Sequence, residues 1–136
     1  MTKESPLLIS LTVAHIKTAL TNAEAGHDWW HTYRVWQNAK TIAAGEPVNG
    51  LVVELAALLH DIADSKFHNG DEEAGPKAAL EFLTGVQAPD DITTHVVQIV
   101  RHISFKGGNE KATWTSAELQ VVQDADRLDA IGAIGI

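Results

Sequence analysis

Hydrophobic positions recur at helical spacing along most of this 136-residue chain, and no stretch shows the sustained alternation typical of a β-strand. Ser5-Pro6 marks the start of a first helix, because proline is favoured at the first helical position. The pattern predicts further helices over residues 29–44, 50–64, 76–84 and 90–104, the fourth ending at Gly85. A sixth helix is expected to open at the capping-box sequence Thr115-Ser116-Ala117-Glu118. The sequence therefore predicts an all-α bundle of about six helices, and the apolar residues 130–136 suggest a C-terminus that is truncated.

The third predicted helix is apolar almost all round, which indicates a central, buried position. His60 and Asp61 follow its apolar residues directly. An ionised carboxylate at the end of a buried helix is costly unless it is paired, and a cation bound by both residues would remove that cost. If the helix persists, Asp64 lies on the same face as His60 and Asp61.

Two other helices place polar side chains on apolar faces. His31 lies one turn before Val35 on the apolar face of the second helix. On the sixth helix, Asp126 and Asp129 fall inside the apolar half, and Asp124 lies at its edge. Taken singly, each such residue is more often a hydrogen-bonded core residue or a helix cap than a metal ligand. Two imidazoles and two carboxylates from separate helices, however, suit manganese, iron, cobalt, nickel, zinc or magnesium.

Composition narrows the function classes. Hydrophobic residues make up 45% and charged residues 21% of the chain, the balance of an ordinary globular protein. Cysteine is absent, which excludes disulfides, thiolate metal sites and a cysteine nucleophile. With no signal-peptide pattern and no apolar run of membrane-spanning length, a cytoplasmic location without membrane contact is expected. A net charge of −8 disfavours binding to nucleic acid polymers, so a phosphorylated substrate would be small and would need a local cation.

Three segments resemble a known family. His31-Thr32-Tyr33-Arg34-Val35, the doublet His60-Asp61 and Asp124-Ala125-Asp126-Arg127-Leu128-Asp129-Ala130 resemble the HD superfamily of metal-dependent phosphohydrolases, in particular its stand-alone bacterial hydrolase branch. The resemblance implies a compact single domain over residues 1–136, with a metal-site core of about 26–130. It implies hydrolysis of a phosphoester or phosphoanhydride bond in a small phosphorylated substrate, with a nucleotide expected. One divalent metal ion is implied, with ligands His31, His60, Asp61 and Asp126.

Further residues are expected to support the site, the first of them through the same resemblance. Nucleotide-hydrolysing relatives carry an acidic residue three positions after the doublet's aspartate, which makes Asp64 the expected residue for water activation beside Asp61. Guanosine-tetraphosphate hydrolases carry two consecutive acidic residues there, and Asp64-Ser65 departs from that pattern. Expected substrate contacts are Lys66, His102, His27 and Asp28. Asp129 is expected to accept a hydrogen bond from a ligand histidine or to pair with Arg34 or Arg127.

Three alternatives stay open at this point. His27-Asp28-Trp29-Trp30-His31 superficially resembles the His-Glu-x-x-His pattern of zinc peptidases, although Asp28 replaces the required glutamate. A non-catalytic module that binds nucleotides for regulation would keep the same pocket. His95 and His102, seven residues apart on the fifth helix, could bind a second metal ion.

Overall fold

The computed structural model describes residues 4–20, 29–62, 73–103 and 114–135, which form six α-helices with no strand among them. The predicted all-α fold is confirmed. Within these ranges no helix combines the length and the apolar character needed to cross a membrane. The helices are α1 (Glu4–Leu20), α2 (Trp29–Ala43), α3 (Gly50–Leu59), α4 (Ala74–Gly85), α5 (Asp90–Ile103) and α6 (Ala117–Gly135).

Helix α3 is the centre of the core, as its all-round apolar pattern predicts. It packs against α1, α2, α5 and α6, and Val53, Leu55 and Leu59 have no exposed surface. Asn49 caps its start, where Oδ1 accepts hydrogen bonds from the backbone N–H groups of Leu51 (3.0 Å) and Val52 (3.2 Å). The cap fixes where α3 begins and therefore the position of His60, which follows the other end of the helix.

Helix α3 ends at Leu59, so the prediction of a helix reaching residue 64 is wrong. His60 Nδ1 donates to the carbonyl oxygen of Ala57 at 2.7 Å. In a continuing helix that oxygen would accept from the backbone of Asp61. The chain turns instead, and the N–H of Ile62 bonds to the carbonyl of Leu59, three residues back. His60 and Asp61 consequently lie in a turn, not on a helix face.

Two further helix ends differ in detail from the prediction. Helix α4 includes Gly85, and the left-handed residue that ends it is Gln87, with φ of 61°. At α6 the capping side chain is Ser116, whose Oγ accepts from the N–H of Leu119 at 3.1 Å. Glu118 reaches a different partner, the backbone N–H of Asn49 at 2.8 Å. The sixth helix therefore opens where predicted, but not through the predicted capping box.

The helix directions bring three chain segments to one end of the bundle. Side-chain contacts from Trp36 to Glu54, and from His31 to His60, show that α2 runs antiparallel to α3. Those from Asn38 to the Ala125 carbonyl and from Arg34 to Asp129 show that α2 also runs antiparallel to α6. The start of α2 therefore meets the end of α3 and the middle of α6.

Candidate metal centre

His31, His60 and Asp126 meet at that end of the bundle. One potential ligand atom from each lies within 4.8 Å of the other two. The Nε2 atoms of His31 and His60 lie 3.4 and 3.8 Å from the same carboxylate oxygen, Asp126 Oδ1. The imidazole centroids are 5.7 Å apart. Ligand atoms ~2.1 Å from one ion lie roughly 3–4 Å from each other, so the three side chains fit a single divalent cation.

The hydrogen bonds behind the histidines favour metal binding. His60 Nδ1 donates to the Ala57 carbonyl at 2.7 Å, and His31 Nδ1 donates to Asp129 Oδ2 at 2.8 Å. A proton fixed on Nδ1 leaves the lone pair of a neutral imidazole on Nε2. Both Nε2 atoms face Asp126, so both rings present the nitrogen that a shared cation needs.

Burial and charge make the site suitable for a cation from solvent. The side chain of His60 is 5% exposed, while those of His31 and Asp126 are 22% and 26% exposed, so the cluster is open on one side. The hydrogen bond to Asp126, then that to Asp129 and the charges of Asp61 and Asp126, outweigh desolvation and raise the pKa of His31 to about 9. A group of carboxylates that stabilises a proton this strongly also attracts a metal ion.

Asp61, the fourth predicted ligand, lies close to this centre but outside the group within 4.8 Å. It occupies the half-buried turn directly after His60, and its negative charge contributes to the raised pKa of His31. The structure thus brings together three of the four predicted ligands. Ligation by Asp61 stays a prediction, as does its catalytic role.

Asp129 contacts two of the three partners that the sequence offered as alternatives, His31 and Arg34. One carboxylate oxygen accepts from His31 and the other from Arg34 Nε. Arg127 turns to Asp124, with Nη1 3.2 Å from the carboxylate. The wheel pattern of α6 identified Asp129 as an inward carboxylate, but no sequence signal identified the Ala57 carbonyl that orients His60.

The remaining predicted residues are placed as follows. His102 is half-buried on the last turn of α5, where Nδ1 donates to the Gln98 carbonyl at 2.8 Å and the ring packs against Trp114, 5.1 Å between centroids. The other predicted catalytic and substrate-contacting residues, Asp64, Lys66, His27 and Asp28, lie outside the described residues.

The second-metal alternative finds no support in the described ranges, whereas the peptidase alternative depends on His27, which lies outside them. His95 Nε2 bonds to Ser116 Oγ at 2.9 Å and lies 3.6 Å from Glu118. Among the described side chains, the His31 group is the sole set of three His, Asp or Glu residues with ligand atoms this close. Asp126, which a peptidase site on α2 does not require, belongs to that set.

Comparisons with known proteins agree with this geometry. The family model described as HD domain matches residues 29–131. YpgQ of Bacillus subtilis is 35% identical over 122 residues, which cover 89% of this chain and 59% of YpgQ. A solved HD-superfamily hydrolase from Bacillus thuringiensis superposes with a TM-score of 0.76 at 37% identity, covering 96% of this chain and 62% of that one.

The crystal structure of YpgQ in complex with ADP gives a TM-score of 0.77 at 31% identity, again covering 96% of this chain and 62% of the other. This chain thus spans about three fifths of the length of these relatives. The family model covers all three clustered residues, and two of these relatives exceed 30% identity over almost the whole chain. The chain belongs to the HD domain family.

Proposed function

We propose that this HD domain is a metal-dependent phosphohydrolase that cleaves a phosphoester or phosphoanhydride bond of a small phosphorylated substrate, specifically a nucleotide. The observation that carries the proposal is the meeting of two imidazole Nε2 atoms with one carboxylate oxygen at 3.4 and 3.8 Å. Nitrogen and carboxylate donors together suit the divalent ions that activate water in hydrolases.

The protein's own part in the reaction follows from its contacts. When bound, the ion supplies a water of lowered pKa and polarises a phosphoryl oxygen. His60 is fixed by the Ala57 carbonyl and His31 by Asp129, so neither ring must reorient when the ion arrives. Asp61 is the proposed fourth ligand, and Asp64 the proposed base that takes a proton from the attacking water.

A nucleotide is favoured over other phosphate compounds by one finding outside the chain. YpgQ, similar to this chain at a TM-score of 0.77, was solved in complex with ADP. The acidic net charge of −8 also favours a small substrate over a nucleic acid polymer. Lys66 is the proposed contact for a substrate phosphate, as a point charge, and His102, His27 and Asp28 are proposed to line the substrate pocket.

The decisive test is a hydrolysis screen of metal-stripped protein. Nucleoside mono-, di- and triphosphates would be incubated with added manganese, magnesium, cobalt or nickel, and free phosphate and pyrophosphate measured separately. We expect turnover only with metal, and a loss of at least about 100-fold in Asp126→Ala and His60→Ala, because each change removes a ligand. Asp124→Ala, which removes an exposed carboxylate from the same helix, should retain wild-type turnover.

The screen separates the proposal from its alternative. Wild-type protein that binds metal and nucleotide but hydrolyses none of the panel would favour a regulatory binding module. Turnover that is equal in Asp126→Ala and Asp124→Ala would contradict the proposed metal centre. Release of pyrophosphate rather than phosphate would identify the bond that is cleaved in a triphosphate.

A further inference from the structure

Arg34 and Asp129 form a linked pair directly behind the metal centre. Asp129, 10% exposed, uses its two carboxylate oxygens for two donors on α2: Oδ2 accepts from His31 Nδ1 at 2.8 Å, and Oδ1 accepts from Arg34 Nε. A second guanidinium nitrogen, Nη2, lies 3.4 Å from Oδ2. The Arg34 side chain is 54% exposed and belongs to the surface of α2.

This arrangement restricts the orientation of the Asp129 carboxylate. A carboxylate that bonded to His31 alone could rotate about its terminal torsion, which is broad and shallow. The planar guanidinium fork engages both oxygens, and such a fork has strong directional preferences. With Oδ1 held by Arg34, Oδ2 is kept on the line of the His31 Nδ1–H bond, and Nε2 of the same ring is kept facing Asp126.

We propose that Arg34, acting through Asp129, is a positioning residue that sets the affinity of the centre for its metal ion. Arg34 itself is half exposed, and it belongs neither to the ligand group nor to the immediate hydrogen-bonding partners of that group. The inference rests on the proposed function, because it requires that His31 binds an ion. It predicts that substitutions of Arg34 and Asp129, neither of which is a ligand, weaken metal binding.

The chain contains a matched control pair on α6, the helix that carries Asp129. Asp124 and Arg127 form an Asp–Arg pair on α6 with an Nη1–Oδ1 distance of 3.2 Å, and both side chains are more than half exposed. The hydrogen bonds and ion pairs described for His31 go to Asp126 and Asp129. Asp124→Asn changes the net charge as Asp129→Asn does, and Arg127→Gln changes it as Arg34→Gln does. A difference in metal affinity between matched variants therefore reports position and not net charge.

The experiment measures Mn²⁺ binding to metal-stripped protein by isothermal titration calorimetry. For Asp129→Asn we expect an affinity about 10–100-fold weaker than wild type, the usual cost of losing a hydrogen-bond partner of a ligand histidine. For Arg34→Gln we expect about 3–10-fold, because Asp129 keeps its bond to His31 but loses its restraint. Asp124→Asn and Arg127→Gln should stay within about two-fold, and Arg34→Lys should recover only part of the loss because it lacks the fork.

Two further measurements distinguish positioning from general stability. The double variant Asp129→Asn/Arg34→Gln should bind no more weakly than Asp129→Asn alone, because Arg34 acts through Asp129. In protein loaded with diamagnetic Zn²⁺, the His31 Nδ1–H proton should be visible by NMR and protected from exchange in wild type and Arg127→Gln, and exchange faster in Arg34→Gln. The exposed Arg34 variant is the one on which the inference depends, and thermal unfolding without metal would verify that it is folded.

The outcomes separate this inference from the proposed function. Equal Mn²⁺ affinity and equal Nδ1–H exchange in Arg34→Gln and Arg127→Gln would overturn the role of Arg34 and leave the metal centre intact. Failure of the wild-type protein to bind Mn²⁺ or Zn²⁺ would instead refute the proposed function together with this inference. Additive losses in the double variant would show that Arg34 acts independently of Asp129, which also contradicts the inference.

Discussion

The raised pKa of His31 predicts that a rise in pH has opposite effects on two quantities. It lowers the stability of the metal-free protein and increases the stabilisation that a bound metal ion adds. In the metal-free protein this pKa is about 9, against an ordinary value of 6.5. A pKa raised by folding stabilises the folded state while the group is protonated in both states. That stabilisation is complete below pH 6.5 and is lost as the pH rises through about 9.

The magnitude follows from the same values. Each pH unit between the unfolded pKa of 6.5 and the folded pKa of about 9 corresponds to about 1.4 kcal/mol, which sets an upper limit of about 3.5 kcal/mol. Because the ring is partly exposed and water screens its ion pairs, we expect the metal-free protein to lose about 1–3 kcal/mol between pH 6.5 and 9.5. Metal binding requires the deprotonated ring, so stabilisation by Mn²⁺ should increase over the same range.

The assay is urea unfolding followed by circular dichroism at 222 nm, at several pH values, with and without Mn²⁺. His31→Gln is the control, since it removes the titrating group and should flatten that part of the pH dependence. The reasoning is refuted if metal-free wild type and His31→Gln show parallel stability curves. It is also refuted if stabilisation by Mn²⁺ decreases as the pH rises.

Three substitutions test the scaffold that positions the site. Leu55→Ala removes a side chain with no exposed surface and should lower the unfolding free energy, measured by urea titration, by about 2–5 kcal/mol. A loss below about 1 kcal/mol would contradict tight packing around α3. Asn49→Ala removes the cap of α3 and should cost about 0.5–2 kcal/mol, whereas an unchanged midpoint would mean that the cap contributes nothing. Gln87→Gly should raise the unfolding free energy by about 0.5–1 kcal/mol, because φ of 61° is strained for a residue with a Cβ atom. Lower stability would show that the glutamine side chain contributes more than the strain costs.

The periodic pattern was sufficient to predict which segments are helical, because the pattern of apolar positions depends on burial alone. The apolar run of α3 and the inward position of Asp126 both follow from 100° per residue, and both are confirmed. The end of α3 was not predictable in this way. His60 competes for the Ala57 carbonyl with the backbone of the next residue, and periodicity contains no information on such a side-chain bond.

The residues that meet at the metal centre could be predicted from the sequence, but the contacts between their side chains could not. Two histidines and an inward aspartate on separate helices could be recognised because polar side chains on apolar faces require partners. Which carboxylate oxygen faces which nitrogen depends on the relative placement of α2 and α6. For this reason the sequence left the partner of Asp129 open between His31, Arg34 and Arg127, whereas the structure shows contacts to the first two.

The assembly of the centre from distant segments has a consequence for the order of folding. His31 and Asp129 are 98 positions apart, and closing a loop of that length is slow compared with forming neighbouring helices. The sequential pair α4 and α5 can pack early, through mainly local contacts. The ion site would then be among the last elements to form, so Mn²⁺ would slow unfolding of the finished protein far more than it would speed folding. A stopped-flow chevron with and without Mn²⁺ would show this as a shift of the unfolding arm alone.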